Sequence, residues 1–180
     1  DYTTEQGLSN NYVRAIYEDA DGTIWVGTYG GGLNRFKDGK FTPITTHNGL
    51  FDDIVSRILV DSNDNFWMSG NRGIYRVSRR ELNDFADGRI ASVNSISYGK
   101  ADGMVTEETN GPDSPAGWRT RDGKLWFPTI EGVVVIDPKE TASATTPTVI
   151  EQILFDKQSL DLHGDRTAPP GNGDLEIQYT

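Results

Sequence analysis

The residues in this chain with the most evident chemical potential are aspartates that precede a repeated tryptophan. Asp19, Asp21 and Gly22 follow one another in an order that begins like a calcium-binding loop. A calcium loop also needs oxygen ligands at later positions, including a bidentate glutamate, and those positions carry none. We therefore predict a hairpin turn at this segment and no metal site.

Side chains suited to acid–base catalysis are few and scattered. Glu107 and Glu108 are adjacent, so on an extended chain their carboxylates would point apart, whereas a glycosidase needs two that converge. The chain has 2 histidines, His47 and His163, and no cysteine that could join them at a metal. We expect no catalytic residue, no metal and no cofactor in this chain.

Polar and aromatic residues occur in the predicted loops before the first strand of each repeat and between its second and third strands. Loops on a rigid scaffold carry recognition, whereas strands are committed to packing. Their amide, carboxylate, guanidinium and phenol groups suit a small-molecule or glycan ligand, although they could also be ordinary solvated loops. The candidate ligand-binding residues are Asn10, Asn11, Tyr29, Arg72, Glu107, Asn110 and Glu131.

These loops are held by a tryptophan-centred motif that occurs three times. Trp25 and Trp67 lie 42 residues apart, and Trp126 belongs to a third copy. Each copy is preceded by a Gly-Leu or Gly-Met pair and followed by a glycine that opens an apolar run. A large aromatic at the same point of each repeat is typical of a core position between neighbouring repeats, so we predict all three tryptophans in the core.

Hydrophobic periodicity predicts four short strands in each repeat. Residues 13–17 and 24–26 alternate as half-buried strands do, with an Asp-Gly turn between them. Residues 32–36 and 41–44 complete an antiparallel sheet, and four strands in about 42 residues are typical of a propeller blade. The predicted fold is all-β, an incomplete propeller of about three blades followed by the beginning of a β-sandwich.

The predicted domains follow from where the repeat starts and stops. The propeller blades span 1–138, divided at about 7–48, 49–102 and 103–138. A polar stretch of Thr, Ala, Ser and Pro marks 139–148 as a linker, and 149–180 is predicted as the truncated start of a sandwich. Within the second blade, Leu82 and Phe85 predict a short surface helix.

The third repeat has no fourth strand of its own. Closed propellers often complete such a blade with a strand from the opposite end of the chain. Residues 1–4 resemble the fourth strand of the first blade, so we predict that they pair with the third blade as a clasp.

Charge and hydropathy exclude several classes of partner. The formal net charge is −10 and the isoelectric point is near 4.6, which disfavours the phosphate contacts that nucleic acids and anionic lipids require. Apolar runs are only a few residues long, far below the roughly 20 that span a bilayer. We expect no nucleic-acid partner and no membrane contact within this segment.

The order of motifs within 7–36 resembles a known family. A Gly-Leu pair, then Asp-x-Asp-Gly-x-Ile-Trp-Val-Gly-Thr and Gly-Gly-Leu-Asn-Arg-Phe are similar to the two-component-regulator propeller repeat. Residues 108–138 resemble the last blade of that family. Residues 149–180 resemble the start of the three-Y (Y_Y_Y) sandwich domain that follows these propellers.

The resemblance implies a non-catalytic sensor segment of a bacterial signal-transduction receptor, whose effector is a histidine kinase or a diguanylate cyclase. It places the segment in the periplasmic or extracellular portion of an inner-membrane protein. Its implied partners are a ligand, the remaining blades of the parent chain, and a second copy through the sandwich or the blade edges. One alternative is a propeller enzyme such as a lyase or glycosidase, relying on His47, and another is a structural assembly module.

Overall fold

A computed structural model describes residues 1–109, 111, 115–141, 150–160 and 173–179. The chain forms two compact units, Asp1–Thr141 and Ala142–Thr180. Antiparallel sheets make up both units, as the all-β prediction requires. Helices in the described part of the chain are short, and none is long and apolar enough to cross a bilayer.

The first blade is a four-stranded antiparallel sheet with strands in sequence order. Its strands are β1 Val13–Glu18, β2 Ile24–Thr28, β3 Leu33–Lys37 and β4 Lys40–Ile44. Asp38 and Gly39 join β3 to β4 with positive φ angles of 51° and 77°. Two successive positive φ values match the twist of a tight hairpin, which explains the Asp-Gly pair at this turn.

The second blade repeats this sheet with an inserted helix. Its strands are β5 Arg57–Val60, β6 Asn65–Gly70, β7 Gly73–Ser78 and β8 Ile96–Tyr98, and α1 Arg79–Ala86 lies between β7 and β8. The short helix predicted from Leu82 and Phe85 is therefore confirmed. Leu82 is fully buried, so the helix packs into the core and is not a purely surface element.

The third blade has three strands in the described residues, β9 Trp118–Arg119, β10 Leu125–Thr129 and β11 Gly132–Ile136. The predicted clasp is wrong, because the first residues do not pair with β11. Tyr2 instead packs its ring against Phe36 and Phe41 of the first blade, at centroid distances of 4.9 and 5.6 Å. An apolar face of the first blade thus holds the start of the chain.

Neighbouring blades pack through continuous apolar layers. Trp25 of the first blade meets Phe66 of the second edge-on at 5.1 Å, and Trp67 of the second lies in one cluster with Leu125 and Phe127 of the third. Trp25 and Trp67 have no exposed surface. Each of these tryptophans faces the blade that follows it.

The prediction that Trp126 is a core residue does not hold in this chain, because its side chain is 40% exposed. Its neighbours on the same side of the third blade are also exposed: Trp118 at 61%, Val133 at 56% and Val135 at 42%. By the pattern of the first two blades, this side would face a following blade. The described residues of the first unit contain no further sheet that could cover it.

A buried carboxylate holds each of the two core tryptophans. The indole Nε1 of Trp25 donates to Asp19 Oδ2, and that of Trp67 donates to Asp61 Oδ2, each at 2.8 Å. Asp19 and Asp61 are 8% and 5% exposed. A buried indole N–H without an acceptor would be costly, so the aspartate six residues earlier is part of the core.

Asp61 should make the stability of the chain depend on pH. Burial raises the pKa of its carboxyl, but hydrogen bonds from Trp67 and Asn65 outweigh this effect and the net pKa lies below its ordinary value. The stabilisation is therefore complete above the unfolded pKa of about 3.9 and is lost as the pH falls through the folded value. For Asp61→Asn we expect a loss of about 1–3 kcal/mol at pH 7 and a shallower decline in acid. Urea unfolding at several pH values measures both, and an unchanged acid slope would contradict this assignment.

Helix α1 joins the first two blades through ion pairs. Arg79 at its start contacts Asp19 of the first blade and Asp64 of the second. At its other end, Asp87 pairs with Arg35 of β3, whose guanidinium also donates to Asn83 at 3.0 Å. The insertion in the second repeat therefore fixes two sheets to one another.

The second unit is a three-stranded antiparallel sheet in the order β13-β12-β14. Its strands are β12 Ile150–Phe155, β13 Gln158–Leu160 and β14 Leu175–Tyr179. The predicted linker 139–148 falls mostly outside the described residues. Its first part is not irregular, because Pro138–Thr141 forms a short helix, α2.

Candidate functional site

Each blade is preceded by the same short link. Thr4–Gln6, Thr46–Asn48 and Lys100–Asp102 form single turns of 3₁₀ helix, each ended by a glycine with φ between 91° and 98°. After each glycine comes a buried apolar residue, Leu8, Leu50 or Met104. The Gly-Leu and Gly-Met pairs of the sequence are thus left-handed turns that insert one side chain into the core.

Three polar side chains close these links, two of them candidates from the sequence. Asn11 Oδ1, Asp53 Oδ1 and Glu107 Oε1 occupy equivalent places and accept from the backbone N–H of the first residue of each turn. These hydrogen bonds measure 2.8, 2.7 and 3.2 Å. Asn10 has a similar local role, because its Oδ1 accepts from the Tyr12 N–H at 2.7 Å. Asn10, Asn11 and Glu107 therefore shape the loop, and none lines the cavity described next.

A concavity of about 210 Å³ lies where the first strands of the blades begin and their second strands end. It draws side chains from all three blades. The lining residues are Arg14, Tyr29, Ser56, Asn71, Glu108, Thr109, Gly111 and Ile130. Because the volume is below the roughly 300–1,000 Å³ of sites for drug-sized molecules, it suits one small group or the end of a longer ligand.

The cavity is built from equivalent positions of the repeat. Tyr29, Asn71 and Ile130 each stand four residues after the tryptophan of their blade, in the turn between its second and third strands. Arg14 and Ser56 each stand eleven residues before the tryptophan, where the first strand begins. The repeat therefore brings one variable side chain per blade to a common opening.

The remaining candidates lie apart from this cavity or outside the described residues. Arg72 places its guanidinium 4.7 Å from the centroid of the Phe51 ring and donates to the Phe51 carbonyl at 3.1 Å. Glu131 is exposed in the turn after Thr129, and Asn110 lies outside the described residues. Tyr29 is the candidate that the structure places in the cavity. Sequence reasoning missed the others, and the offset from each tryptophan would have found several of them.

Arg14 is the cation of the cavity. Its guanidinium carbon lies 4.7 Å from the centroid of the Tyr12 ring and 5.1 Å from that of the Tyr29 ring. Its Nε is buried without a hydrogen-bond partner. Tyr12 and Tyr29 are 60% and 44% exposed, and their rings contact each other at a centroid distance of 5.9 Å, so the guanidinium lies against an exposed aromatic pair beside the opening.

Glu108 brings a carboxylate to the same cavity, and Ser56, Asn71 and Thr109 bring hydroxyl and amide groups. The hydroxyl of Thr109 is engaged, because it donates to the Gly70 carbonyl at 2.8 Å. His47 lies exposed in the link before the second blade and does not line the cavity. The described residues hold no cluster of carboxylate and imidazole groups arranged for a metal ion.

Comparison with known proteins finds a matching family model for part of the chain. Residues 7–30 match the family model described as two component regulator propeller. No curated protein of similar sequence is found.

Solved structures of similar fold come from Bacteroides thetaiotaomicron. One is an extracellular domain assigned to the one-component system BT4673, with 22% identity over 74% of this chain and a TM-score of 0.62. Another, an extracellular domain assigned to the hybrid two-component system BT4673, has 22% identity over 80% of this chain and a TM-score of 0.52. The chain spans 18% and 20% of their lengths. These similarities support the propeller-type fold.

Proposed function

We propose that this chain is a non-catalytic sensor segment that binds a small polar ligand in the cavity shared by its three blades. The observation that carries the proposal is the convergence of Tyr29, Asn71 and Ile130 from equivalent turns on one opening. A rigid scaffold presents a recognition surface by placing different side chains at repeated backbone positions. Ligand contact with three blades at once would bias their relative packing.

The comparisons support a signalling role. The matching repeat is named for two-component regulators, and the similar solved structures are extracellular domains of signalling systems. We infer that this chain lies outside the membrane, in the periplasmic or extracellular portion of an inner-membrane receptor. Further blades of the parent chain would pack on it, and a three-Y sandwich would relay binding to a histidine kinase or a diguanylate cyclase. A second copy could join it through the sandwich or blade edges.

The lining of the cavity favours binding over catalysis. Glu108 is the one carboxylate among the described lining residues, whereas glycoside hydrolysis by the usual route takes two. The enzyme alternative relied on His47, whose side chain lies on a link turn away from the cavity.

Blocking the cavity mouth should abolish binding. Asn71 is exposed at the opening, so Asn71→Trp should fill it without disturbing the core. Asn63 is exposed in the turn between β5 and β6, so Asn63→Trp is a matched control with the same added bulk. Saturation-transfer NMR with a set of neutral sugars, sugar acids and amino acids would identify binders of the unmodified chain.

We expect the signals of those binders to disappear in Asn71→Trp and to persist in Asn63→Trp. A set without binders, or binders that tolerate Asn71→Trp, would count against this cavity as the ligand site. The sequence of the parent gene tests the signalling part, since it should encode a membrane helix and an effector domain after this segment.

A further inference from the structure

In the described part of the chain, two of the five buried or half-buried arginines have a carboxylate partner, and Arg14 is not one of them. Arg35 pairs with Asp87, and Arg79 pairs with two aspartates. The chain has 27 acidic residues against 17 lysines and arginines, so an available carboxylate is the usual situation. Among the described residues, the guanidinium of Arg14 has no ion pair and no hydrogen bond.

Three other arginines have an unpartnered Nε. Arg35 pairs with Asp87 through another nitrogen, which leaves Arg14, Arg57 and Arg76 without an ion pair in the described part of the chain. Arg76 lies over the Trp67 ring at 5.7 Å, between the second and third blades. The side chain of Arg57 lies beside Gly117, at the start of the third blade. Arg14 is the one of these three whose side chain lines the cavity.

The aromatic contacts of Arg14 leave its hydrogen-bonding capacity free. A cation–π contact engages the face of a ring, whereas the five N–H donors of a guanidinium need acceptors of their own. A guanidinium forms its strongest hydrogen bonds with carboxylate, sulfate or phosphate oxygens. The cavity therefore presents an anion site flanked by Tyr12 and Tyr29.

The other polar lining groups suit uncharged hydrogen-bonding groups on the same ligand. Glu108 accepts hydrogen bonds and repels anions, and Ser56 and Asn71 both donate and accept. No ion pair joins Glu108 to Arg14 in the described residues, so the two charges remain available to separate parts of a ligand. Tyr29 and Ile130 add apolar surface.

We propose that the ligand is a carboxylate-bearing sugar, bound through its carboxylate to Arg14 and through its hydroxyl groups to Glu108 and Asn71. This inference rests on the proposed function of the cavity and specifies what it binds. A free sugar acid and the terminal sugar acid of a longer glycan share this chemistry. The volume of about 210 Å³ fits a single such unit.

Matched sugars that differ only at C6 test the inference. D-glucuronate against D-glucose, and D-galacturonate against D-galactose, compare a carboxylate with a primary alcohol on the same ring. We expect at least one acid to bind about tenfold or more tightly than its neutral partner in calorimetric titrations of the full chain. A disaccharide that ends in the same acid distinguishes a free sugar acid from the end of a longer glycan. It binds as tightly as the free acid only if the opening admits a longer chain.

Two substitutions assign the preference to the guanidinium. Arg14→Met should abolish the preference for the acid, and Arg14→Lys should keep part of it, because the charge remains without the planar fork. Thermal unfolding of both variants checks that the fold is intact. Neutral sugars that bind as tightly as the acids, and lose binding in Asn71→Trp, would overturn this inference but support the proposed function. Preference for the acid that survives Arg14→Met would also overturn it, as would failure of every sugar to bind.

Discussion

Trp67→Ala should destabilise the chain by about 3–5 kcal/mol, the loss typical of a large aromatic removed from a core. Trp67 has no exposed surface and stacks on Tyr98 at a centroid distance of 5.1 Å. The substitution removes this contact and the cation–π contact with Arg76. It also removes the indole donor of Asp61, and a buried carboxylate that loses a donor adds to the cost.

The repeat supplies a control in Trp126→Ala. Trp126 occupies the equivalent position of the third blade, but it is 40% exposed and Thr120 stands where the aspartate would be. We expect a loss of at most about 2 kcal/mol for it, because less surface leaves water on folding. Urea unfolding followed by far-ultraviolet circular dichroism measures both variants. Equal losses would mean that the tryptophans act within their own blades and not between blades.

This comparison shows where sequence reasoning about the repeat succeeds and where it stops. The strands of the first blade follow from alternation and from turns such as Asp38-Gly39, because these signals are local. The burial of a tryptophan is not local, since it depends on the blade that follows. Three tryptophans at equivalent positions of the repeat therefore differ in exposure, and only the assembled sheets show it.

Only part of the candidate site was predicted from the sequence, because the role of a loop side chain also depends on its surroundings. Asn10, Asn11 and Glu107 are loop residues with polar side chains, which is the usual sign of recognition. Their side chains are used by the backbone N–H groups of the links, which need acceptors wherever the chain leaves a strand. Five of the eight described lining residues are found from the spacing of the repeat, because equal offsets from a tryptophan reach equal places in each blade.

For the inserted helix α1, the sequence predicts the helix itself but not the contacts that it makes. The spacing of Leu82 and Phe85 predicts a helix, and the helix is present. Its role in joining blades depends on Arg79 and Asp87 meeting Asp19 and Arg35, which are 60 and 52 residues away. Pairings at that separation have no signature in a single sequence.

Gly49→Ala should be among the most destabilising single substitutions in the chain, and Gly103→Ala gives its matched control. Both glycines end a link turn, with φ angles of 91° and 95°, so both substitutions force alanine into the left-handed region at about 1–2 kcal/mol. A Cβ at Gly103 would meet nothing within 4 Å. A Cβ at Gly49 would lie 2.0 Å from the carbonyl oxygen of Val93.

Both variants carry the same backbone strain, so the difference between their free energies of unfolding measures the clash of the new Cβ at position 49 with the Val93 carbonyl. Val93 is 5% exposed and its N–H donates to the Asn48 carbonyl at 2.8 Å, so its main chain cannot retreat without breaking a hydrogen bond in the core. We expect Gly49→Ala to cost about 2 kcal/mol or more beyond Gly103→Ala, measured as the difference in free energy of unfolding in urea. Equal costs would show that the segment carrying Val93 is free to move away from the link. The larger cost would show that the segment between α1 and β8 is held firmly against the link before the second blade.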